Sequence, residues 1–364
     1  MKIVLALVLV LHGAIHLLGA AKGLRLAVLP QLTQPISPAF GVVWLVAGAL
    51  FMASAGLVFA WPRGWWLAAA VALVFSTVAI VPSWADAKFG AAVNALVLVA
   101  VAYGFLVSGP VSLRAEYDRD VAARRGSVPP AAPVTESDLA TLPAPVQRFL
   151  RRAGVVGQPR VARFYARMHG RIRSGAADPW MPFTAEQHNF YDRPSRFFYM
   201  TASRAFVPFQ VFHRYADDEA SMRVKVAGLV TVQELAGDAM TRAETVTLFN
   251  DMCLFAPATV LSPAVVWEAI DDRTARAVFS NAGQSIRAEL DFNDAGELVN
   301  FRSDDRGRTS TDGRALEPVP WSTPLGAYRA FGALRLPSQG EARWHDTSGD
   351  YAYIEMTIDE VRVE

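Results

Sequence analysis

The first 108 residues of the chain carry almost no charge. They contain five of its 35 basic side chains and one of its 34 acidic ones. Four apolar stretches of about 18–24 residues follow one another here, each long enough to cross about 30 Å of hydrocarbon as a helix. They cover residues 3–20, 38–61, 65–83 and 89–107. The pattern predicts an α-helical membrane domain of four transmembrane helices over residues 1–108.

The sidedness of this domain follows from its positive residues, because Lys and Arg favour the cytoplasmic side. With the N-terminus inside, six of them lie on inner segments: Lys2, Arg63, Arg114, Arg119, Arg124 and Arg125. Three lie on outer loops: Lys22, Arg25 and Lys88. We therefore expect a multi-pass protein of the inner cell membrane with a cytoplasmic N-terminus and soluble domain. A cleaved signal peptide is the alternative for the first stretch, but three more apolar stretches follow it.

Four polar residues stand out in this membrane part. His12 and His16 share one helical face and suggest either a haem or metal site or hydrogen bonds to neighbouring helices. We favour the hydrogen bonds and expect no cofactor and no metal, because no second histidine pair is present in this part. Asp86 is expected to cap the N-terminus of the fourth helix, and Asn94 to bond between helices.

A connector is predicted over residues 109–154. Mixed charges at helical spacing over residues 111–125 indicate a juxtamembrane helix that ends at Gly126. A Pro-rich linker follows at residues 129–133, and residues 141–154 predict a short helix closed by Gly154. The remainder, residues 155–364, is predicted to be a β-rich soluble domain.

Apolar and polar residues alternate with period two in the soluble part, which is typical of half-buried strands. Clear cases are residues 166–172, 286–292 and 352–358. Turn signals such as the Asn-Ala-Gly at residues 281–283 separate the strands. We expect about ten strands in a large antiparallel sheet.

One segment, residues 237–255, instead has helical character. Its apolar side chains point nearly all round the helix, so this helix is expected to be buried on most sides. The predicted fold of the soluble part is therefore α+β: a curved antiparallel sheet or open β-barrel around one buried helix. Such an arrangement leaves a cavity between helix and sheet.

Site candidates come from this helix and from the aromatic strands before it. Glu244, Thr247 and Asp251, flanked by Asn250, form its polar stripe; the two carboxylates lie about 10 Å apart by helix rise. They are either ligand-binding or catalytic groups, or they pair with arginines on facing strands. Trp180, Phe183, His188 and His213 either line an apolar pocket or belong to the core.

Several classes of function are excluded or left without support. A net charge of +1 gives no nucleic-acid footprint, and the single cysteine, Cys253, is expected to be a buried structural thiol. The sequence contains no phosphate-binding glycine loop, nucleophile elbow or His-Glu-x-x-His motif. The leading hypothesis is a membrane-anchored protein, in contact with membrane lipids, that binds a hydrophobic or lipid-like small molecule. The alternatives are an enzyme using Glu244, Asp251 and a histidine on a membrane-derived substrate, or a membrane-anchored interaction module.

Two sets of segments resemble an uncharacterised bacterial family of integral membrane proteins. In the membrane part these are His12-Gly-x-x-His16-Leu-Leu-Gly19 and the run from Trp84 to Asn94; in the soluble part they include the run from Trp180 to His188 and residues 243–251. The family has no known function, so the resemblance implies a fold and no activity. The membrane part is also loosely similar to DoxX-like four-helix proteins. The soluble part resembles, as an analogy of fold, the periplasmic lipoprotein carriers, whose curved sheet holds an acyl chain.

Overall fold

The computed structural model describes residues 2–126, 131–205, 207–310, 312–347 and 349–364. The chain forms two compact units, Met1–Glu116 and Tyr117–Glu364. Pro129 and Pro130 of the predicted linker lie outside the described residues.

The N-terminal unit contains four apolar helices: α1 (Lys2–Gly23), α2 (Pro38–Ala60), α3 (Trp65–Ile80) and α4 (Trp84–Ser108). The side chain of Ser37 accepts a hydrogen bond from Phe40 N, and Pro38 occupies the first turn, so α2 begins there. Glycines let α1 and α2 approach closely, since a Cβ on Gly13 would lie 2.9 Å from the carbonyl oxygen of Gly48. The predicted helical N-terminal part is confirmed.

In the described part of the chain, three helical segments are long and apolar enough to cross a membrane: α1, α2 and Trp84–Arg124, which begins with α4. Helix α3 has 16 residues, which rise about 24 Å and fall short of about 30 Å of hydrocarbon. The crossing of a membrane by four helices therefore stays a prediction.

The polar side chains of the N-terminal unit bond to neighbouring elements. His12 Nε2 lies 2.8 Å from Asn94 Oδ1, and His16 Nε2 lies 2.8 Å from Ser76 Oγ. Asn94 thus joins α1 and α4, as predicted. The N-cap role expected for Asp86 is wrong, because α4 already begins at Trp84. Asp86 instead accepts hydrogen bonds from Thr33 and Gln34 in the loop between α1 and α2.

Four more α-helices and a 3₁₀ helix are described further along the chain: α5 (Leu113–Arg124), α6 (Glu136–Leu139), α7 (Ala144–Ala153), α8 (Asp238–Phe255) and η1 (Pro257–Leu261). Helices α5, α7 and α8 match the three helices predicted for this part. Gly154 caps the C-terminus of α7, and its φ of 80° is the left-handed conformation that glycine adopts readily.

Sixteen strands are described in the C-terminal unit: β1 (Arg163–Ile172), β2 (Met181–Phe190), β3 (Ser195–Arg204), β4 (Val207–Ala216), β5 (Glu219–Val226), β6 (Val230–Ala236), β7 (Val265–Ala269), β8 (Thr274–Asn281), β9 (Gln284–Phe292), β10 (Leu298–Ser303), β11 (Gly307–Thr309), β12 (Leu316–Pro318), β13 (Trp321–Ser322), β14 (Leu325–Phe331), β15 (Leu334–Asp346) and β16 (Gly349–Val363).

Fourteen of these strands form one large antiparallel sheet, with more strands than predicted. Its order is β6-β5-β4-β3-β2-β1-β16-β15-β13-β10-β9-β8-β7, with β14 paired to β15, while β11 and β12 form a separate pair. Strands β1, β9 and β16 contain the three alternating segments. Between β8 and β9, Ala282 and Gly283 both have positive φ, which is the two-residue hairpin turn that the Asn-Ala-Gly signal favours.

Helix α8 lies against the inner face of this sheet. It contacts β5 and β6 near one end of the strand order and β9 toward the other, so the sheet curves around it. Most side chains of α8 are buried, as its all-round apolar pattern predicts. In the described part of the chain, β6 and β7 end the hydrogen-bonded order, and the sheet is therefore open.

Candidate functional site

A cavity of about 920 Å³ lies between α8 and the inner face of the sheet. Its walls are mostly apolar. Six of the nine methionines of the chain line it: Met168, Met181, Met200, Met222, Met240 and Met356. Methionine side chains are flexible and polarisable, so a wall of this kind adapts to apolar ligands of different shape.

A buried ionic cluster forms one wall of the cavity, and Arg196 on β3 is at its centre. The Nε atom of Arg196 donates to Asp251 Oδ2 at 2.6 Å, and its Nη1 donates to Glu244 Oε2 at 2.9 Å. Both carboxylates belong to α8, and one guanidinium bridges them because its donors point in different directions. The cluster therefore fixes the polar stripe of α8 against β3.

Glu244 has a second partner in His213 on β4, whose Nδ1 lies 3.0 Å from Glu244 Oε1. Burial alone would raise the pKa of Glu244, but His213 and Arg196 outweigh burial and hold that pKa well below its usual range. An ionised Glu244 accepts the proton of Nδ1 as a hydrogen bond. The other ring nitrogen of His213, Nε2, is then left for a group in the cavity.

Asp251 has a different set of hydrogen-bond partners. Its Oδ2 accepts hydrogen bonds from Gln187, Asn189 and Arg196. Burial raises the pKa of Asp251 above its ordinary value, because desolvation outweighs the attraction of Arg196 and the donated hydrogen bonds. The two carboxylates of α8 thus differ in protonation behaviour although they share one arginine.

A second arginine of the cavity wall, Arg306, is bonded much less completely. It lies between β10 and β11, and its side chain is 10% exposed. Its Nη2 lies 3.5 Å from Glu244 Oε1, and its Nη1 donates to Gly307 O at 3.3 Å. Its buried Nε has no hydrogen-bond partner among the described residues. Leaving a charged donor unpaired in this way is costly.

The structure brings six of the eight predicted ligand-binding candidates to the cavity: Phe183, His213, Glu244, Thr247, Asn250 and Asp251. The expected alternative, that the carboxylates pair with arginines on facing strands, holds for Arg196 and both carboxylates.

Trp180 and His188 are not among the residues that line the cavity. The ring of Trp180 lies against the guanidinium groups of Arg171 and Arg173, with Cζ 4.6 and 4.5 Å from the ring centre. His188 bonds to Tyr117 Oη through Nδ1 at 2.7 Å, while Nε2 accepts from Arg125 at 3.1 Å. On β2, Gln187 points into the cavity, so the alternation of the strand turns His188 to the other face.

Sequence reasoning did not single out Arg196 or Arg306. A signal for Arg196 exists, because it has the same period-two phase as Phe198 and Met200, which also line the cavity. An arginine in the inward phase of an aromatic strand has to find buried partners. Arg306 follows the end of β10, so no periodicity marks it.

A serine, a histidine and an aspartate are aligned elsewhere on the sheet. Ser322 Oγ lies 2.7 Å from His345 Nε2, and His345 Nδ1 lies 2.7 Å from Asp350 Oδ2. This is the order of contacts in serine hydrolases. However, Ser322 is 2% exposed, and its neighbours Trp321 and Thr323 line the cavity while Ser322 does not. The hydroxyl therefore lies away from the cavity and from solvent.

Another feature of the molecule is the set of side chains that could bind a metal ion. No group of three or more His, Cys, Asp or Glu side chains suited to a metal ion occurs in the part of the chain that the structure describes. Cys253 is a buried free thiol, as predicted, and burial raises its pKa well above the ordinary value.

The fold and the cavity together define a class: an antiparallel β-sheet domain that curves around a helix and encloses a largely apolar space. The chain belongs to a family of unknown function (DUF6544), whose model matches residues 132–356. The match covers the β-rich part, so the predicted DoxX-like likeness of α1–α4 is not confirmed. A search of the curated proteins finds no match.

Two solved structures share a distant likeness. A LolA superfamily protein from Nitrosomonas europaea is 11% identical, with 60% of this chain and 93% of that chain covered and a TM-score of 0.35. A DUF1329 family protein from Desulfovibrio piger is 10% identical, with 62% and 94% covered and the same TM-score, 0.35. At such scores the likeness does not establish a common fold.

Proposed function

We propose that this protein is a membrane-anchored binding protein that holds an apolar, lipid-like small molecule between α8 and the sheet. The cavity of about 920 Å³ carries the proposal. Its volume lies near the top of the range of about 300–1,000 Å³ that small-molecule sites occupy. A mostly apolar, methionine-rich wall with a few convergent polar groups is the usual composition of such sites.

The anchoring part of the proposal depends on the outer faces of the helices. Ile3, Leu7 and Leu11 follow one another at helical spacing on α1, and all three are more than half exposed. A water-soluble helix bundle covers such residues, whereas hydrocarbon accommodates them. We extend the proposal to four crossings, with α3 as the shortest, and to a cytoplasmic β-rich unit, from the distribution of Lys and Arg.

The test is a binding measurement on the full-length protein in lipid nanodiscs. Tritiated dodecanol and dodecanoate are titrated in a scintillation proximity assay, and empty nanodiscs give the background from partition into lipid. We expect saturable binding of at least one of the two probes. Val211→Trp fills the cavity from β4, where Val211 lines it, and should weaken binding about tenfold or more.

The matched control is Val230→Trp. Val230 lies on the end strand β6, is more than half exposed and does not line the cavity, so this variant should bind as the wild type does. The absence of saturable binding for both probes, and for dodecyl phosphate in their place, would exclude the proposed function. Equal loss in the two tryptophan variants would place the binding outside the cavity.

A second candidate is hydrolysis of a membrane-derived ester, favoured by the contact between His213 and Glu244. A histidine oriented by an ionised carboxylate is positioned as a general base. The ion pairs of Arg196 with both carboxylates argue against hydrolysis, because they are typical of a structural cluster. Turnover of 4-nitrophenyl dodecanoate that is lost in His213→Gln would support this candidate. Labelling by a fluorophosphonate, abolished by Ser322→Ala, would instead assign activity to Ser322, and we expect no such labelling.

A further inference from the structure

Two arginines of the cavity wall, Arg196 and Arg306, differ in what they are bonded to. Arg196 donates hydrogen bonds through Nε to Asp251 and through Nη1 to Glu244, both at distances below 3 Å. Arg306 makes two contacts of 3.3 and 3.5 Å, and its Nε has none among the described residues. A guanidinium has five N–H donors in a rigid fork, so most of the donors of Arg306 have no partner among the residues that the structure describes.

Both carboxylates are hydrogen-bonded without Arg306, although its positive charge also helps to lower the pKa of Glu244. Glu244 is already bonded by Arg196 through Oε2 and by His213 through Oε1, and Asp251 is bonded by Arg196, Gln187 and Asn189. Within the cluster, Arg306 thus has spare hydrogen-bond donors beside a carboxylate that already has other hydrogen-bond partners. Its neighbour Trp321, whose ring centre is 5.7 Å from the guanidinium carbon, supports the side chain without supplying an acceptor.

Arg306 and His213 approach the same atom, Glu244 Oε1, and both line the cavity. The polar end of the cavity therefore contains an under-bonded guanidinium and a histidine whose Nε2 is not engaged by Glu244. The methionine-rich walls surround the same space. An oxyanion is the group that a guanidinium edge binds best, because its Nε and Nη donors match two oxygens at once.

We propose that the ligand is amphipathic, with an apolar chain that lies along the methionine-rich wall and a carboxylate or phosphate headgroup that is bound by Arg306. On binding, the guanidinium turns its Nε edge to the headgroup and exchanges its long contact with Glu244 for a bidentate one. This inference rests on the proposed function and specifies the chemical class of its ligand. It assigns to Arg306 the discrimination between a charged and a neutral headgroup.

The experiment compares three probes of equal chain length on the full-length protein in nanodiscs: dodecanoate, dodecyl phosphate and dodecanol. The assay runs at about pH 8, where the carboxylate is ionised. We expect at least one anionic probe to bind about tenfold or more tightly than dodecanol, as charge-assisted hydrogen bonds allow. The anion that binds more tightly identifies the headgroup. Acetate and inorganic phosphate, which lack the chain, should not compete at the same concentrations.

Arg306→Gln should bring the affinity for the anionic probe down to about that for dodecanol, so that the preference of the wild type for the anion is lost. The matched control is Arg302→Gln, because Arg302 pairs with Glu289 and Asp291 and does not line the cavity. It should keep the preference for the anion. If Arg306→Gln does not fold, the preference of the wild-type protein among the three probes is the measurement that tests the headgroup assignment.

The outcomes separate the two proposals. Equal binding of anions and dodecanol, an unchanged preference in Arg306→Gln, or competition by acetate or phosphate alone would overturn the headgroup assignment. If anions and dodecanol bind equally, or if Arg306→Gln keeps the preference, saturable dodecanol binding would still support the proposed binding of apolar molecules in the cavity. No saturable binding of any of the three probes would overturn both.

Discussion

The Nε atom of Arg196 lies 2.6 Å from Oδ2 of Asp251, and both side chains are buried. These residues are 55 positions apart in the sequence. Their contact therefore joins helix α8 to strand β3 of the sheet that curves around it. It also removes two charges from water, which a protein tolerates only where each has partners.

Replacing Arg196 with methionine should strongly destabilise the C-terminal unit. The substitution leaves Glu244 and Asp251 with less positive charge nearby, and breaking a buried ion pair from one side costs about 3–5 kcal/mol. The free energy of unfolding of the full-length protein, followed by the β-sheet circular dichroism signal, measures the loss. Arg302→Met, which breaks an exposed ion pair, should cost about 0–1 kcal/mol. Similar losses in the two variants would contradict a special role for the buried cluster.

The two carboxylates of α8 should influence acid stability in opposite directions. The pKa of Glu244 is lowered in the folded protein, because its positive neighbours outweigh burial. Its stabilising contribution is therefore complete above the ordinary carboxyl pKa and is lost as the pH falls. The pKa of Asp251 is raised by burial, so its contribution becomes more favourable as the pH falls through that raised value.

Unfolding midpoints measured from about pH 7 to about pH 3 test this. Glu244→Gln should lower stability at neutral pH and make the loss toward acid shallower than in the wild type. Asp251→Asn should make that loss steeper. Parallel curves for the wild type and both variants would show that neither carboxylate has a shifted pKa in the folded state.

The sidedness of the β-rich unit depends on whether the 16-residue helix α3 crosses the membrane. Four crossings from an inner N-terminus return the chain to the cytoplasm, whereas three leave it outside. We expect a C-terminal green fluorescent protein fusion to fluoresce and a C-terminal alkaline phosphatase fusion to be inactive. An active phosphatase fusion would show that α3 does not cross or that the N-terminus lies outside.

Local patterns predicted much of the secondary structure. The run of apolar side chains all round residues 237–255 predicted the buried helix α8, and period-two alternation predicted β1, β9 and β16. These predictions succeed because side-chain burial repeats every 3.6 residues on a helix and every two on a strand. The same reasoning brought Glu244, Asn250 and Asp251 to one stripe of α8, which faces the cavity.

Local patterns failed where one residue had two available roles. Asp86 is a residue type that often caps helices, but here it accepts hydrogen bonds from Thr33 and Gln34 in a loop. His188 lies in an aromatic strand, but the phase of β2 turns it toward Tyr117. In each case the partner is more than 50 residues away in sequence, so no short window contains the information.

The sequence by itself determined that a helical part with very few charges precedes a charged, β-rich part, and that one helix of the latter is buried on nearly all sides. These properties depend on the transfer of each side chain from water and on the period of the backbone. Only the tertiary structure decided that Arg196 bridges both carboxylates of α8 while the Nε of Arg306 has no hydrogen-bond partner among the described residues. The pairing of buried charges depends on distances and angles between residues that are distant in sequence, and these exist only once the sheet has curved around the helix.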